Sequence, residues 1–204
     1  MIEIRNTEPA KSRVKTTYRS DGAVITGYSA VFYNGLPGTQ YSLGDGMVER
    51  IRPGAFDRAL VERHDARALY NHDPDNLLGR VSSGTCRLSV DHLGLRYEIT
   101  ADRNDPDHQR VLAKIKRGDL SGSSFAFQPT KVTWEDKDGI SIRWIDDLQL
   151  FDVGPVTYPA YGASTTGLRA EELEAIQAER DQWPALQLRL KKLKLARLFA
   201  DAAL

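Results

Sequence analysis

Between Gly118 and Phe127 the apolar pattern of this chain changes from a helical period to an extended one, and no other stretch restricts the fold as much. Upstream, Asp102 to Asp105 supplies N-cap side chains, Pro106 suits a first helical turn, and Val111, Leu112 and Ile115 form a stripe at helical spacing. Lys114, Lys116 and Arg117 gather where cations favour the helix dipole, and Gly118 is suited to a left-handed C-cap. Downstream, Phe125 and Phe127 alternate around Ala126, which is the period of a strand. The spacing therefore predicts a helix that runs into a glycine-jointed bend and straight on into a sheet. Ser121, Ser123 and Ser124 sit on that bend. A serine at a strand start can present its hydroxyl at the rim of a sheet while its neighbours are buried, which seats a nucleophile well. Serines also cluster in turns for backbone reasons alone. Both readings stand at this point.

The rest of the chain extends the β-rich reading. Residues 13–33 predict a hairpin, with Val14, Thr16 and Tyr18 alternating, a Ser20-Asp21-Gly22 turn, and a return strand from Ala23 to Phe32. Asn34 to Gly46 reads as a Gly/Pro-rich loop and Met47 to Ile51 as a short strand. Pro53 opens a helix expected to continue through Leu60, and Ala66 to Tyr70 is a strand that delivers His72 at its end. Leu78 to Val90 and Leu95 to Thr100 are expected to pair, as are Leu120 to Trp134 and Ile140 to Leu150 around Lys137-Asp138-Gly139. Val153 to Tyr158 is a further strand. The fold class expected is α+β, with a β-barrel-like core wrapped by a few helices in residues 1–166. Residues 167–204 form a helical C-terminal arm, interrupted at Pro184, whose first segment is acidic and second basic.

Composition excludes several classes. The formal net charge is zero, so nothing overall selects for nucleic acid or a membrane surface. One cysteine, Cys86, permits neither an intrachain disulfide nor a cysteine-based zinc site, and fits a reducing compartment. The first residues lack the apolar core of a signal peptide and no apolar run is long enough to span a bilayer, so a cytosolic soluble protein is expected. Phosphate-binding glycine loops are absent. His64, His92 and His108 read as surface residues. No pair of histidines has metalloprotease spacing, so neither metal nor cofactor is expected.

His72 and Asp152 stand apart. A neutral imidazole within hydrogen-bonding reach of a serine takes its proton as the new bond forms, and a carboxylate behind the imidazole fixes the tautomer. A histidine capping a loop is the structural alternative. Asp152 interrupts an apolar run, Leu148 to Tyr161, where a carboxylate needs a histidine or arginine partner. Asp146 and Asp147, side by side, read as solvated.

Taken in order, Gly27 to Phe32, Arg52 to Phe56, Asn71-His72-Asp73, Gly79-Arg80, Gly94-Leu95, Gly118 to Phe127 and Leu150 to Tyr161 resemble the tailed-bacteriophage prohead (capsid-maturation) serine protease family across roughly residues 20–165. Members look like relatives of the herpesvirus assembly protease. The resemblance implies an endopeptidase held inside an immature capsid in the host cytoplasm. Its partners would be the major capsid protein and its scaffold segment, as substrates, with self-cleavage and a homodimer or higher oligomer also implied. Neither direct nucleic-acid contact nor a membrane is expected. By position, Ser124 matches the nucleophile and His72 the base, with Asp152 where the family often has Glu; Ser123 is the fallback nucleophile. The chain departs from the family pattern at Ala126, commonly Gly, and at Gly154, commonly Ser. A non-catalytic capsid-assembly protein that keeps the protease fold is the alternative, and a metal-dependent hydrolase is a third, weaker one.

Overall fold

The computed structural model describes residues 1–7, 9–19, 22–44, 46–62, 64–158 and 170–201. The chain divides into two compact units, Met1–Leu168 and Arg169–Leu204. The first contains, in order, β1 (Glu3–Thr7), α1 (Pro9–Ser12), β2 (Lys15–Arg19), β3 (Gly22–Val31), a 3-10 turn (Pro37–Thr39), β4 (Tyr41–Gly44), β5 (Met47–Ile51), α2 (Asp57–Val61), β6 (Arg67–Leu69), β7 (Leu77–Arg80), β8 (Cys86–Val90), β9 (Gly94–Ala101), α3 (Pro106–Arg117), β10 (Gly122–Lys137) and β11 (Ile140–Val156). The second is the single helix α4 (Ala170–Asp201).

Two sheets carry the first unit. One runs β1-β10-β11-β5-β4, with β6 and β7 attached through β11; the other runs β2-β3-β9-β8. Strand β11 is long enough to pair with β10 along one edge and, along the other, in parallel first with β5 and then with β6. The fold is mixed α+β, as expected. The barrel is not: among the described residues the strands form two separate sheets, because no backbone ladder joins them. Their facing sides share one apolar core in which Ile25, Tyr97 and Ile99 meet Phe56, Phe125, Phe127, Leu150 and Val153. Phe125 and Phe127 stack at 4.8 Å between centroids, and Phe56 meets Phe125 edge-on at 5.9 Å.

Helix α3 follows its sequence signals. Asp105 caps it by accepting from the Asp107 amide at 2.8 Å, and Gly118 ends it at φ +83°. Elsewhere local chemistry changes the expected elements. The predicted strand Leu78–Val90 is two strands in two sheets, since a turn intervenes at residues 81–85 in which Gly84 has φ +74° and the Thr85 hydroxyl accepts from the Arg80 amide. Gly54, at φ +96°, delays the helix expected from Pro53 until Asp57. The Gly/Pro-rich segment before Met47 hides β4. Ile140–Val156 is one strand rather than two. Pro184 lies inside α4 instead of breaking it: strong helix formers on both flanks outweigh a local cost of about 3 kcal/mol. In one continuous helix the acidic and basic segments follow one another along the axis and do not fold back to pack on each other.

Candidate active site

Strand alternation sorts the serines. Ser123, Phe125 and Phe127 face the core, where the Ser123 hydroxyl meets the Tyr97 hydroxyl at 2.8 Å and both residues are fully buried. Burial pushes the Tyr97 phenol well above its usual range. Ser124 and Ala126 therefore face the opposite side of the sheet. Ser121 stands just before β10, its carbonyl accepting from the Ser12 hydroxyl at 2.5 Å.

Asp152 reaches that same outer side through a bulge. Ala126 pairs with Asp152 but Phe127 pairs with Leu150, leaving Phe151 as the extra residue. The bulge lets Leu148, Leu150 and Val153 all face the core despite their uneven spacing, and turns Asp152 outward. His64 secures it, its Nδ1 accepting from the Leu150 amide at 3.2 Å.

His72 comes from the turn after β6, a strand that pairs with β11 at Asp152 and Val153. Asn71 and His72 both adopt left-handed backbone, φ +59° and +58°, which throws the imidazole back over the sheet. Several bonds hold that unusual turn. The Asn71 amide donates to the Pro155 carbonyl at 3.1 Å, the Thr157 amide donates to Asn71 Oδ1 at 2.8 Å, and Asn71 Nδ2 donates to Thr157 Oγ1 at 3.1 Å. Tyr70 Oη shares a hydrogen bond with Thr157 Oγ1 at 2.7 Å and accepts from Lys114 Nζ at 3.1 Å. Burial would raise the Tyr70 phenol, but Thr157 and the Lys114 ammonium outweigh it and bring it below its ordinary value.

These elements bring the three positions together. His72 Nε2 lies 2.5 Å from Ser124 Oγ and His72 Nδ1 lies 2.5 Å from Asp152 Oδ1. The histidine and aspartate side chains are 16% and 13% exposed, whereas Ser124 is fully buried. With Nδ1–H donated to the carboxylate, Nε2 is left as an acceptor aimed at the serine hydroxyl, which is the arrangement for general-base activation of an alcohol. Ser124 Oγ has one more neighbour, the Arg5 carbonyl at 2.9 Å.

The other candidates lie elsewhere. Asp146 accepts from Arg52 at 2.7 Å, and Asp147 pairs with Arg58 at 2.9 Å. His92 is exposed. His108 is buried, against the surface position expected, because its two ring nitrogens join the Asp102 amide at 3.0 Å to the Leu78 carbonyl at 2.9 Å. Cys86 is buried and its thiol is pushed up to about 12, so it is no thiolate nucleophile near neutral pH. No cluster of three or more His, Cys, Asp or Glu suited to a metal occurs among the described residues.

The sequence profile of the caudovirus prohead serine protease family matches residues 10–179. No curated protein and no solved structure matches the chain significantly. The chain belongs to the caudovirus prohead serine protease family.

Proposed function

We propose that this family member is a serine endopeptidase in which Ser124 attacks the scissile carbonyl, His72 takes and returns the proton, and Asp152 orients His72. The observation that carries the reading is the hydrogen-bonded row Asp152–His72–Ser124, with both contacts at 2.5 Å. As Oγ bonds to the carbonyl carbon, its proton passes to Nε2, and the imidazolium so formed is held by the Asp152 carboxylate. That proton then goes to the departing amine as the C–N bond breaks, leaving an acyl-enzyme. A water repeats the sequence, giving its proton to His72 and its oxygen to the acyl carbon, and the serine is released. Because Ser124 is fully buried, a peptide reaches Oγ only by displacing what shields it, so docking and opening are coupled.

Family membership supports the substrate class: the major capsid protein, its scaffold segment and the protease itself, cut inside the prohead in the host cytoplasm. Residues 1–166 are the protease domain in this reading and 167–204 a helical arm that engages the assembling particle, as a homodimer or within a larger oligomer. The test is co-expression with the major capsid protein. Wild-type chain should shorten it and Ser124→Ala should not, with both variants melting alike; equal processing by both removes Ser124 from the reaction. The burial of Ser124 also favours a second reading, an assembly protein that keeps the fold without turnover. A fluorophosphonate that never labels the chain, even in assembled particles, would select it.

A further inference from the structure

One of the two strands that flank Ser124 lies outside the segment that matches the family. That match begins at residue 10, whereas β1 spans Glu3–Thr7 and pairs with β10 so that Asn6 is opposite Ser124. Two of its three inward side chains, Glu3 and Arg5, are charged. Arg5 Nε donates to Glu49 Oε1 at 2.7 Å and Arg5 Nη2 to Glu3 Oε2 at 2.8 Å. Arg143 Nη1 donates to Glu3 Oε2 and to Glu49 Oε2, both at 2.7 Å. All four residues are buried, and together they carry no net charge. Burial raises Glu3, as does the charge of Glu49, and the two guanidiniums do not fully offset this. Burial acts the same way on Glu49, but there Arg5 and Arg143 prevail and hold it below its ordinary value.

Such a quartet fixes register. A one-residue slip of β1 would turn Arg5 to the other face of the sheet and leave Glu49 and Arg143 buried with Glu3 displaced. Register in turn decides which carbonyl meets Ser124. The serine has one proton and, shielded from water, two acceptors: His72 Nε2 at 2.5 Å and the Arg5 carbonyl at 2.9 Å. A carbonyl only accepts. It therefore competes with His72 Nε2 for the one serine proton, and when that proton points to His72 the two oxygens stand 2.9 Å apart with none between them. Once the proton has passed to Nε2, the carbonyl faces an oxygen with nothing to donate and repels it towards the substrate carbon.

We propose that β1 belongs to the catalytic apparatus: the Glu3–Arg5–Glu49–Arg143 quartet is a positioning device that sets the Arg5 carbonyl against Ser124 Oγ and so fixes the nucleophile's aim. The proposal rests on the serine endopeptidase reading. Its test uses the full chain with Arg5→Lys, which keeps the charge but not the forked donor set, and with Arg5→Met/Glu3→Gln, which removes one charge of each sign and leaves the neutral Glu49–Arg143 pair. Active sites are counted by fluorophosphonate titration and kcat is expressed per titrated serine, with Leu88→Ala in the other sheet as a control for lost stability alone. The expected result is a fall in kcat per site of about tenfold or more, with KM within about twofold, since a misaimed nucleophile affects the chemical step. Leu88→Ala should leave kcat per site at the wild-type value. If the double variant does not fold, Arg5→Lys alone decides the matter. Variants that lose thermal stability but keep wild-type kcat per titrated serine would make the quartet structural only and overturn the proposal. A wild-type chain that takes no label would instead overturn the endopeptidase reading itself, so the two failures are distinct.

Discussion

Gly154→Ala should disable the site without touching any of its three side chains. A Cβ at Gly154 would lie 2.0 Å from the Leu69 carbonyl oxygen and 3.0 Å from its carbon, both backbone atoms with no rotamer to yield. Real Cβ contacts do not fall below 3.0 Å, so β6 and β11 must separate by at least 1.0 Å at this point. Leu69 is the last residue of β6 and leads directly into the turn that carries His72, while Gly154 pairs with Ser124. The strain thus opens the His72–Ser124 gap. A misplacement of about 1 Å costs on the order of 10²-fold in rate, and overpacking of this kind costs about 1–3 kcal/mol of stability. In a chain of this length that is a drop in Tm of about 2–12 °C. Gly94→Ala is the control: its Cβ would lie 2.1 Å from the Ala30 carbonyl oxygen and 2.8 Å from Val31 Cα, a backbone clash at least as severe in the other sheet. Steady-state cleavage of a peptide cut from the capsid protein, with thermal melts of both variants, makes the comparison. A loss of Tm in Gly94→Ala at least as large, but a roughly 10²-fold lower kcat in Gly154→Ala alone, is the expected outcome. Equal kcat in the two variants would refute the argument that β6 sets the position of His72.

Asp152→Asn should leave the fold intact and lower kcat by about 10⁴, because the amide no longer fixes the His72 tautomer; a loss below tenfold in peptide hydrolysis would remove Asp152 from the triad. Gly27→Ala should destabilise the protein by about 1–3 kcal/mol, since its Cβ would lie 2.4 Å from Tyr97 Oη in the buried Tyr97–Ser123 contact, and an unchanged urea midpoint would contradict this. Glu49→Gln removes the buried carboxylate to which both Arg5 and Arg143 donate and should cost about 3–5 kcal/mol by denaturant titration. Acid should destabilise the fold. Hydrogen bonds from Arg80 and Ser82 hold Asp65 well below its ordinary value of 3.8, and Thr130 and Arg58 hold Asp147 below it against the opposing effect of burial. Folded carboxyls with lowered values resist protonation, so their stabilisation is present above about pH 4 and lost as pH falls through the folded values. Glu3, held above 4.5, acts in the opposite sense. Asp147→Asn should flatten the acid limb of a stability–pH curve, and an unchanged limb would contradict the assignment.

Helix α3 was legible in full because its stripe, caps and terminal charges all agree. The hairpin of β10 and β11 was legible from its glycine turn. Ser124, His72 and Asp152 were not legible from periodicity: two neighbouring serines are indistinguishable until the pleat assigns them to opposite faces, and Asp152 faces outward only because a bulge at Phe151 resets the alternation. The likeness to the family selected them. Strand β1 escaped detection because its pattern is inverted, with Glu3, Arg5 and Thr7 inward and buried while Ile4 is half-buried. Only partners distant in sequence, Glu49 and Arg143, make that pattern stable. His108 escaped for a similar reason, since both of its hydrogen-bond partners are backbone groups that no side-chain motif announces.

Fluorophosphonate labelling of the full chain, mapped by peptide mass spectrometry, addresses the nucleophile directly. One adduct on Ser124, lost in His72→Ala as well as in Ser124→Ala, is the predicted result. An adduct on Ser123, or labelling of Ser124 that persists at the wild-type rate without His72, would contradict it.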